Sequence, residues 1–184
     1  LFPDPTLFRS REGEDRIQLM QSMGDVSAFS AQLRTMAVDL GKIASDLRLL
    51  ASGPRTGLDE IRLPAVQPGS SIMPGKVNPS IPEMVNQVCF QVIGNDACVA
   101  AAAEHGQLEL NVMMPVIAHN VMFSMIILSN AARVLNERCV AGSTANREQC
   151  EHWVERAAAL ATALAPQMGD AKAAEISKHA VDEN

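Results

Sequence analysis

The sequence predicts an all-α fold, a bundle of long helices, and three observations carry that expectation. Hydrophobic residues make up 47% of the chain, yet aromatics are only 3% and tyrosine is absent. Ala, Leu, Val, Ile and Met supply the apolar content, a mix that suits packed helices better than sheets. Second, Val26, Phe29, Leu33, Met36, Leu40, Ile43, Leu47 and Leu50 alternate spacings of three and four. A seam of that period wants a partner helix along its length. Third, residues 85–93 and 112–132 contain no Asp, Glu, Lys or Arg. Helices apolar on more than one side are expected to be buried all round. A chain of 184 residues buries roughly 70% of its unfolded surface, so covering those helices calls for several copies.

The elements follow in order. Residues 1–13 carry two prolines and no periodicity, an irregular lead-in. A helical pattern begins at Glu14 and should end near residue 52, at Gly53-Pro54, a glycine stop followed by a breaker. Residues 54–79 are irregular, with Pro54, Gly57, Pro64, Pro68, Gly69, Pro74, Gly75 and Pro79. A connection that long inside a compact protein is usually functional. Ser80 with Glu83 reads as a capping box for a second helix over 82–103. Val85, Val88, Cys89, Val92, Val99 and Ala103 lie along it, with a polar break at Gly94-Asn95-Asp96 and an end near His105-Gly106. A third helix is expected over 111–138, with Pro115 starting or kinking it. Gly142-Ser-Thr-Ala145 is a turn. Asn146 with Gln149 caps a fourth helix through Trp153 to Leu164, stopped by Pro166 and Gly169, and a short fifth covers about 170–180.

The net charge of −6 comes without any Lys/Arg-rich run, which excludes a nucleic-acid surface. Purely apolar runs are short and interrupted, so no membrane span is expected. No signal peptide is seen, and the opening LFPDPTLFRS lacks an initiator Met, so the natural N-terminus is expected to lie elsewhere. Cys89, Cys98, Cys139 and Cys150 form no CxxC pair and read as reduced thiols in a cytoplasmic setting. His105, His119, His152 and His179 have no spacing of a metal motif or serine triad. Asp59-Glu60 reads as solvated loop charge, and Trp153 and the ten methionines as core fillers.

One stretch is dense in chemistry: GSSIMPGKVNP, residues 69–79, between two helical segments. Gly69 and Gly75 let the backbone turn and expose N–H groups. Ser70 and Ser71 add hydroxyls without bulk. Lys76 places a positive charge, and Asn78 amide donors, near the start of the second helix, whose N-terminus is itself partially positive. These groups suit a carboxylate or phosphate. On composition alone a structural loop fits as well.

The stretch resembles the signature of the aspartase/fumarase superfamily, G-S-S-x-M-P-x-K-x-N-P, at every fixed position. LRLLASGPRTGLDEI before it, and VNQVCFQVIGND and GQLELNV after it, resemble the flanking segments of the same family, so the likeness covers about residues 15–165. It implies a central helical-bundle domain over 14–165, with 166–184 beginning a truncated C-terminal helical domain. It also implies a homotetramer, and β-elimination of ammonia or water from a small dicarboxylate to give fumarate. PSIPEMVNQVCFQVIGND resembles the members that release ammonia from L-aspartate, whereas LELNVMMP leans toward those that dehydrate malate. Aspartate is the expected substrate and malate the alternative.

By the same resemblance Ser70 is the general base, and Lys76 and Asn78 bind substrate carboxylate. Ser71 joins them in binding substrate and also shapes the loop, and Gly69, Met73, Pro74 and Gly75 support the loop. A serine is a poor base unless its alkoxide is stabilised, and backbone N–H groups of a glycine-rich loop can do that. The breakers leave the loop mobile enough to close. No metal or organic cofactor is implied, because positive charge and donors supply the stabilisation. Family chains are far longer, and their N-terminal region supplies further substrate-binding residues. ALAPQMGDAK also departs from the family's C-terminal pattern. The chain therefore reads as a fragment, inactive alone. The competing class is a non-catalytic helical-bundle scaffold.

Overall fold

The computed structural model describes residues 13–70, 72–73 and 75–182. The chain is all-α. Helices α1 (Arg16–Gln21) and α2 (Gly24–Leu50) lead to a two-residue strand, β1 (Ile61–Arg62). Helices α3 (Ser80–Glu104) and α4 (Met114–Arg138) follow, then β2 (Thr144–Ala145). Helices α5 (Arg147–Arg156), α6 (Ala165–Met168) and α7 (Asp170–Asp182) complete the order, with 3₁₀ turns at 140–142 and 158–164. Strands β1 and β2 pair antiparallel, Ile61 opposite Ala145 and Arg62 opposite Thr144. The predicted lead-in lies outside the described residues except for Gly13.

The core is the three-helix layer α2–α3–α4. Helix α3 packs along both neighbours, which meet each other only briefly. The stripes that do this are legible in the side chains. Helix α4 buries Ile117, Val121, Ser124, Leu128, Ala131 and Leu135, at alternating steps of four and three. Helix α3 buries Val85, Val92 and Val99, each at most 1% exposed. Full burial of such a side chain stabilises by about 1.5–3 kcal/mol. Small residues let the axes approach. Ala37, Ala44 and Ala131 are at most 1% exposed, and a Cβ on Gly41 would lie 3.4 Å from the Cβ of Cys89. Polar atoms inside the layer are paired. Asn86 donates to the Gly41 carbonyl (2.8 Å) and the Ser45 hydroxyl (3.1 Å) and accepts from Arg48 (3.0 Å). Among the described residues no buried side-chain nitrogen or oxygen lacks a partner.

Several expectations need correction. The first helix is two. The Asp15 carboxylate accepts from Gln18 N (2.9 Å) and caps α1. Ser22 then turns extended, and its hydroxyl accepts from Gly24 N as α2 begins. The heptad seam is only half used. Leu33 is buried and Leu40 and Leu47 pack on the core, while Phe29, Met36 and Ile43 are exposed. Gly94-Asn95-Asp96 does not break α3, because its polar groups reach neighbouring helices: Asn95 donates to Ser124 (2.9 Å), and Asp96 accepts from Ser30 (2.6 Å) and Arg34 (2.8 Å). Helices α3 and α4 are not buried all round within one chain: Phe90, Met122 and Ile126 are exposed.

Neither capping box forms. Ser80 is already helical and Pro79 holds the cap position, while Asn146 turns its amide onto the Asp59 carboxylate (2.8 Å). That bond also corrects the reading of Asp59 as solvated charge. Trp153 is not simple filler: its Nε1 donates to the Leu58 carbonyl (2.8 Å), binding α5 to the 52–60 turn. The fourth helix stops at Arg156, short of Leu164, where the chain tightens to 3₁₀. The third begins at Met114 rather than residue 111, with Pro115 in its first turn. By length and composition alone, 114–142 is long and apolar enough to cross a membrane. Its regular stripe against α3 is the pattern of a bundle helix.

Candidate functional site

Residues 69–79 leave the β1 side of the molecule and return to the N-terminus of α3. The two limbs of this loop touch at its base. A Cβ on Gly69 would lie 1.8 Å from the Lys76 carbonyl oxygen and 2.9 Å from the Val77 Cα, so only glycine permits the crossing. Asn78 Nδ2 donates to the Gly69 carbonyl at 2.7 Å. Gly75 sits at φ +80°, a turn that glycine adopts without a steric cost. Lys76 N donates to the Met73 carbonyl at 3.2 Å.

Inside this frame the Ser70 hydroxyl accepts from two backbone amides, Ile72 N and Met73 N, each at 3.1 Å. Both amides belong to the residues that follow, so the serine hydroxyl closes a local turn on its own backbone. Ser70 is half-buried, whereas Ile72, Met73 and Lys76 are exposed. Among the described residues the Lys76 ammonium makes no ion pair. Lys76 and Asn78 line a cleft of about 350 Å³ together with Gly75, Arg62, Leu63 and Pro79, and Ser70 lies outside it. The candidates thus form two neighbouring groups: Ser70 with its amides, and Lys76 with Asn78 beside the cleft. Ser71 and Pro74 lie outside the described residues.

Several other chemistry-bearing residues make local contacts of their own. His105 bonds the Ala101 carbonyl (2.7 Å), and His119 stacks on Phe123 with centroids 6.0 Å apart. Cys89 and Cys139 are buried, and that burial pushes both thiols up from their ordinary range; Cys98 is exposed. Two residues near the site escaped the sequence reading. Arg62 enters the cleft because β1 places it there, and Gln67 donates to the Ser80 hydroxyl at 2.7 Å. Both lie far from the signature in type, and nothing in their spacing marks them.

Comparison with known proteins gives these features a context. A lyase family model matches residues 6–94. An aspartate ammonia-lyase from Helicobacter pylori is 54% identical over 165 residues, which cover 90% of this chain and 35% of that protein. Among solved structures, a fumarate lyase:delta crystallin from Brucella melitensis is 56% identical with a TM-score of 0.87, covering 94% of this chain and 39% of that one. A class II fumarase from Schistosoma mansoni is 35% identical with a TM-score of 0.90, covering 97% and 39%. The chain therefore spans about a third of the length of the curated relatives it matches. Fold and loop together resemble the helical centre of these lyases. Over the matched residues the chain is similar to members of the aspartase/fumarase superfamily.

Proposed function

We propose that the full-length enzyme containing this chain eliminates ammonia from L-aspartate to give fumarate, with Ser70 as the general base. The observation that carries the reading is the pair of amides on the Ser70 oxygen. In the proposed step the Ser70 alkoxide takes a proton from the carbon beside the substrate's second carboxylate. The electron pair moves into that carboxylate as an aci-carboxylate and then expels ammonia from the neighbouring carbon. Lys76 and Asn78 hold carboxylate oxygen, where negative charge grows in the transition state. Ser71 and the loop residues Gly69, Met73, Pro74 and Gly75 support this arrangement. That similar proteins are named aspartate ammonia-lyase supports reading aspartate rather than malate as the substrate. The test is fumarate absorbance with each substrate supplied separately to the full-length enzyme. A preference for malate of more than about tenfold, about 1.4 kcal/mol in transition-state binding, would transfer the reading to fumarate hydratase. No elimination from either would favour a non-catalytic scaffold.

Assembly is part of the same proposal. Phe29, Met36 and Ile43 of α2 and Met125 of α4 border an open apolar groove of about 560 Å³. Helices of other copies would cover it, in a homotetramer whose centre is 14–165, with 166–184 beginning a further helical domain. Acting on a small dicarboxylate in the cytoplasm, the protein would keep its free thiols reduced. Light scattering should give a tetramer; a stable monomer at micromolar concentration would count decisively against it. The isolated 184-residue chain should show no turnover, since other segments and copies complete the site.

A further inference from the structure

The base of the signature loop is tied by side chains where a hairpin would use backbone. Asn78 Nδ2 bonds the Gly69 carbonyl and Gln67 Nε2 bonds the Ser80 hydroxyl, both at 2.7 Å. The pairs 69 with 78 and 67 with 80 are in the register of an antiparallel ladder, each step outward on one limb matched on the other. The Ser80 amide does not pair across the limbs: it donates to the Asn78 carbonyl (2.8 Å) as α3 begins, so at that rung the tie is made by side chains. Gly69 meanwhile brings the limbs into direct backbone contact.

We propose that Asn78 is a positioning residue as well as a carboxylate ligand: with Gln67 it forms a two-rung clasp that holds Ser70 in place before substrate arrives. The Gly69 carbonyl belongs to the peptide that leads into Ser70, so fixing it fixes the Ser70 backbone. The Asn78 amide has two N–H groups. One is committed to Gly69, and the second stays available for substrate carboxylate. A single side chain therefore links recognition to placement of the base. Gln67 acts only through the second rung. The proposal deepens the elimination reading and rests on it for the role of Ser70, but the clasp itself is a property of the substrate-free loop.

Hydrogen exchange on the full-length enzyme without substrate tests it, because an Asn78 that only binds substrate would not move that readout. Loss of one such bond shifts a local opening equilibrium about two- to tenfold. Asn78→Asp keeps the shape and removes the donor. It should speed exchange at the Ile72, Met73 and Lys76 amides by that factor and leave the α3 amides unchanged. Gln67→Leu should do the same to a smaller extent, and should lower kcat with KM unchanged within about twofold, the split expected when binding is kept and placement is lost. Lys76→Ala should raise KM while leaving exchange at the Ile72 and Met73 amides unaltered. Loop exchange in Asn78→Asp and Gln67→Leu equal to the parent's would overturn the clasp, even if Asn78→Asp were inactive. Faster loop exchange in a protein that lacks lyase activity altogether would uphold the clasp and sink the elimination reading instead.

Discussion

Replacing Asn111 with alanine should destabilise the protein more than any single surface change, because one side chain there serves two helix ends. Helix α3 finishes at Glu104 and leaves its last carbonyls without helical partners. Asn111 Nδ2 donates to two of them, Ala102 O (3.1 Å) and Ala103 O (3.2 Å). Its Oδ1 accepts from Met113 N (2.8 Å) at the start of α4, while its own N–H donates to the Met20 carbonyl (3.0 Å) at the end of α1. Asn111 is 0% exposed, so water cannot take over these bonds without opening the corner. Three side-chain bonds, each contributing about 0.5–1.5 kcal/mol net, put Asn111→Ala at about 2–4 kcal/mol. Asn111→Asp separates the two ends. It keeps the acceptor for Met113 but sets a carboxylate against the two carbonyls, so it should cost as much as alanine or more. Urea denaturation followed by helical circular dichroism, at one fixed protein concentration, reads both. A loss under about 1 kcal/mol for alanine, or an aspartate variant as stable as the parent, would refute the account of this corner.

Other outcomes follow from the same geometry. Iodoacetamide on the folded protein should label Cys98 first and spare Cys89 and Cys139 until denaturant is added, since burial keeps those two thiols protonated. Both thiols are raised in the folded state, so the stability they contribute is intact below about pH 8.5 and is lost as pH climbs through their higher folded values; denaturation midpoints should fall on that alkaline side, less steeply in a Cys139→Ala variant. Gly69→Ala should abolish turnover while helical content is retained, because the new Cβ meets the Lys76 carbonyl in a loop outside the core; a fully active variant would contradict the crossed-limb geometry.

Much of the fold could be read from side-chain spacing, and the exceptions have physical causes. The three long helices were legible because Val85, Val92 and Val99, or Ile117, Val121 and Leu128, repeat at helical intervals and face one neighbour. The breaks were less so. Asn95 and Asp96 look like a stop in a linear chain, and only the neighbouring helices supply Ser124, Ser30 and Arg34 to satisfy them. Ser22 looks like any helical serine until Gly24 and Asp25 restart the helix beside it. Asn111 reads as the first residue of a helix, but it is a bridge between ends that sequence distance does not connect. At the loop, residue types announced anion chemistry, and resemblance assigned Ser70, Lys76 and Asn78 their roles. The amides on Ser70, the crossing at Gly69 and the Gln67–Ser80 bond depend on how two proline-bearing limbs return to one another, which composition does not encode.

The central claim is that Ser70, held by two backbone amides, is the base. It is tested most directly by the single-turnover rate of fumarate formation from L-aspartate in full-length Ser70→Ala, with Ser71→Ala beside it. Removing a positioned base typically costs about 10²- to 10⁴-fold, so Ser70→Ala should lose at least 100-fold with its helical content and oligomeric state unchanged, while Ser71→Ala loses less. Turnover within about threefold of the parent in Ser70→Ala, with Ser71→Ala inactive, would move the base by one residue; activity retained in both would contradict the account.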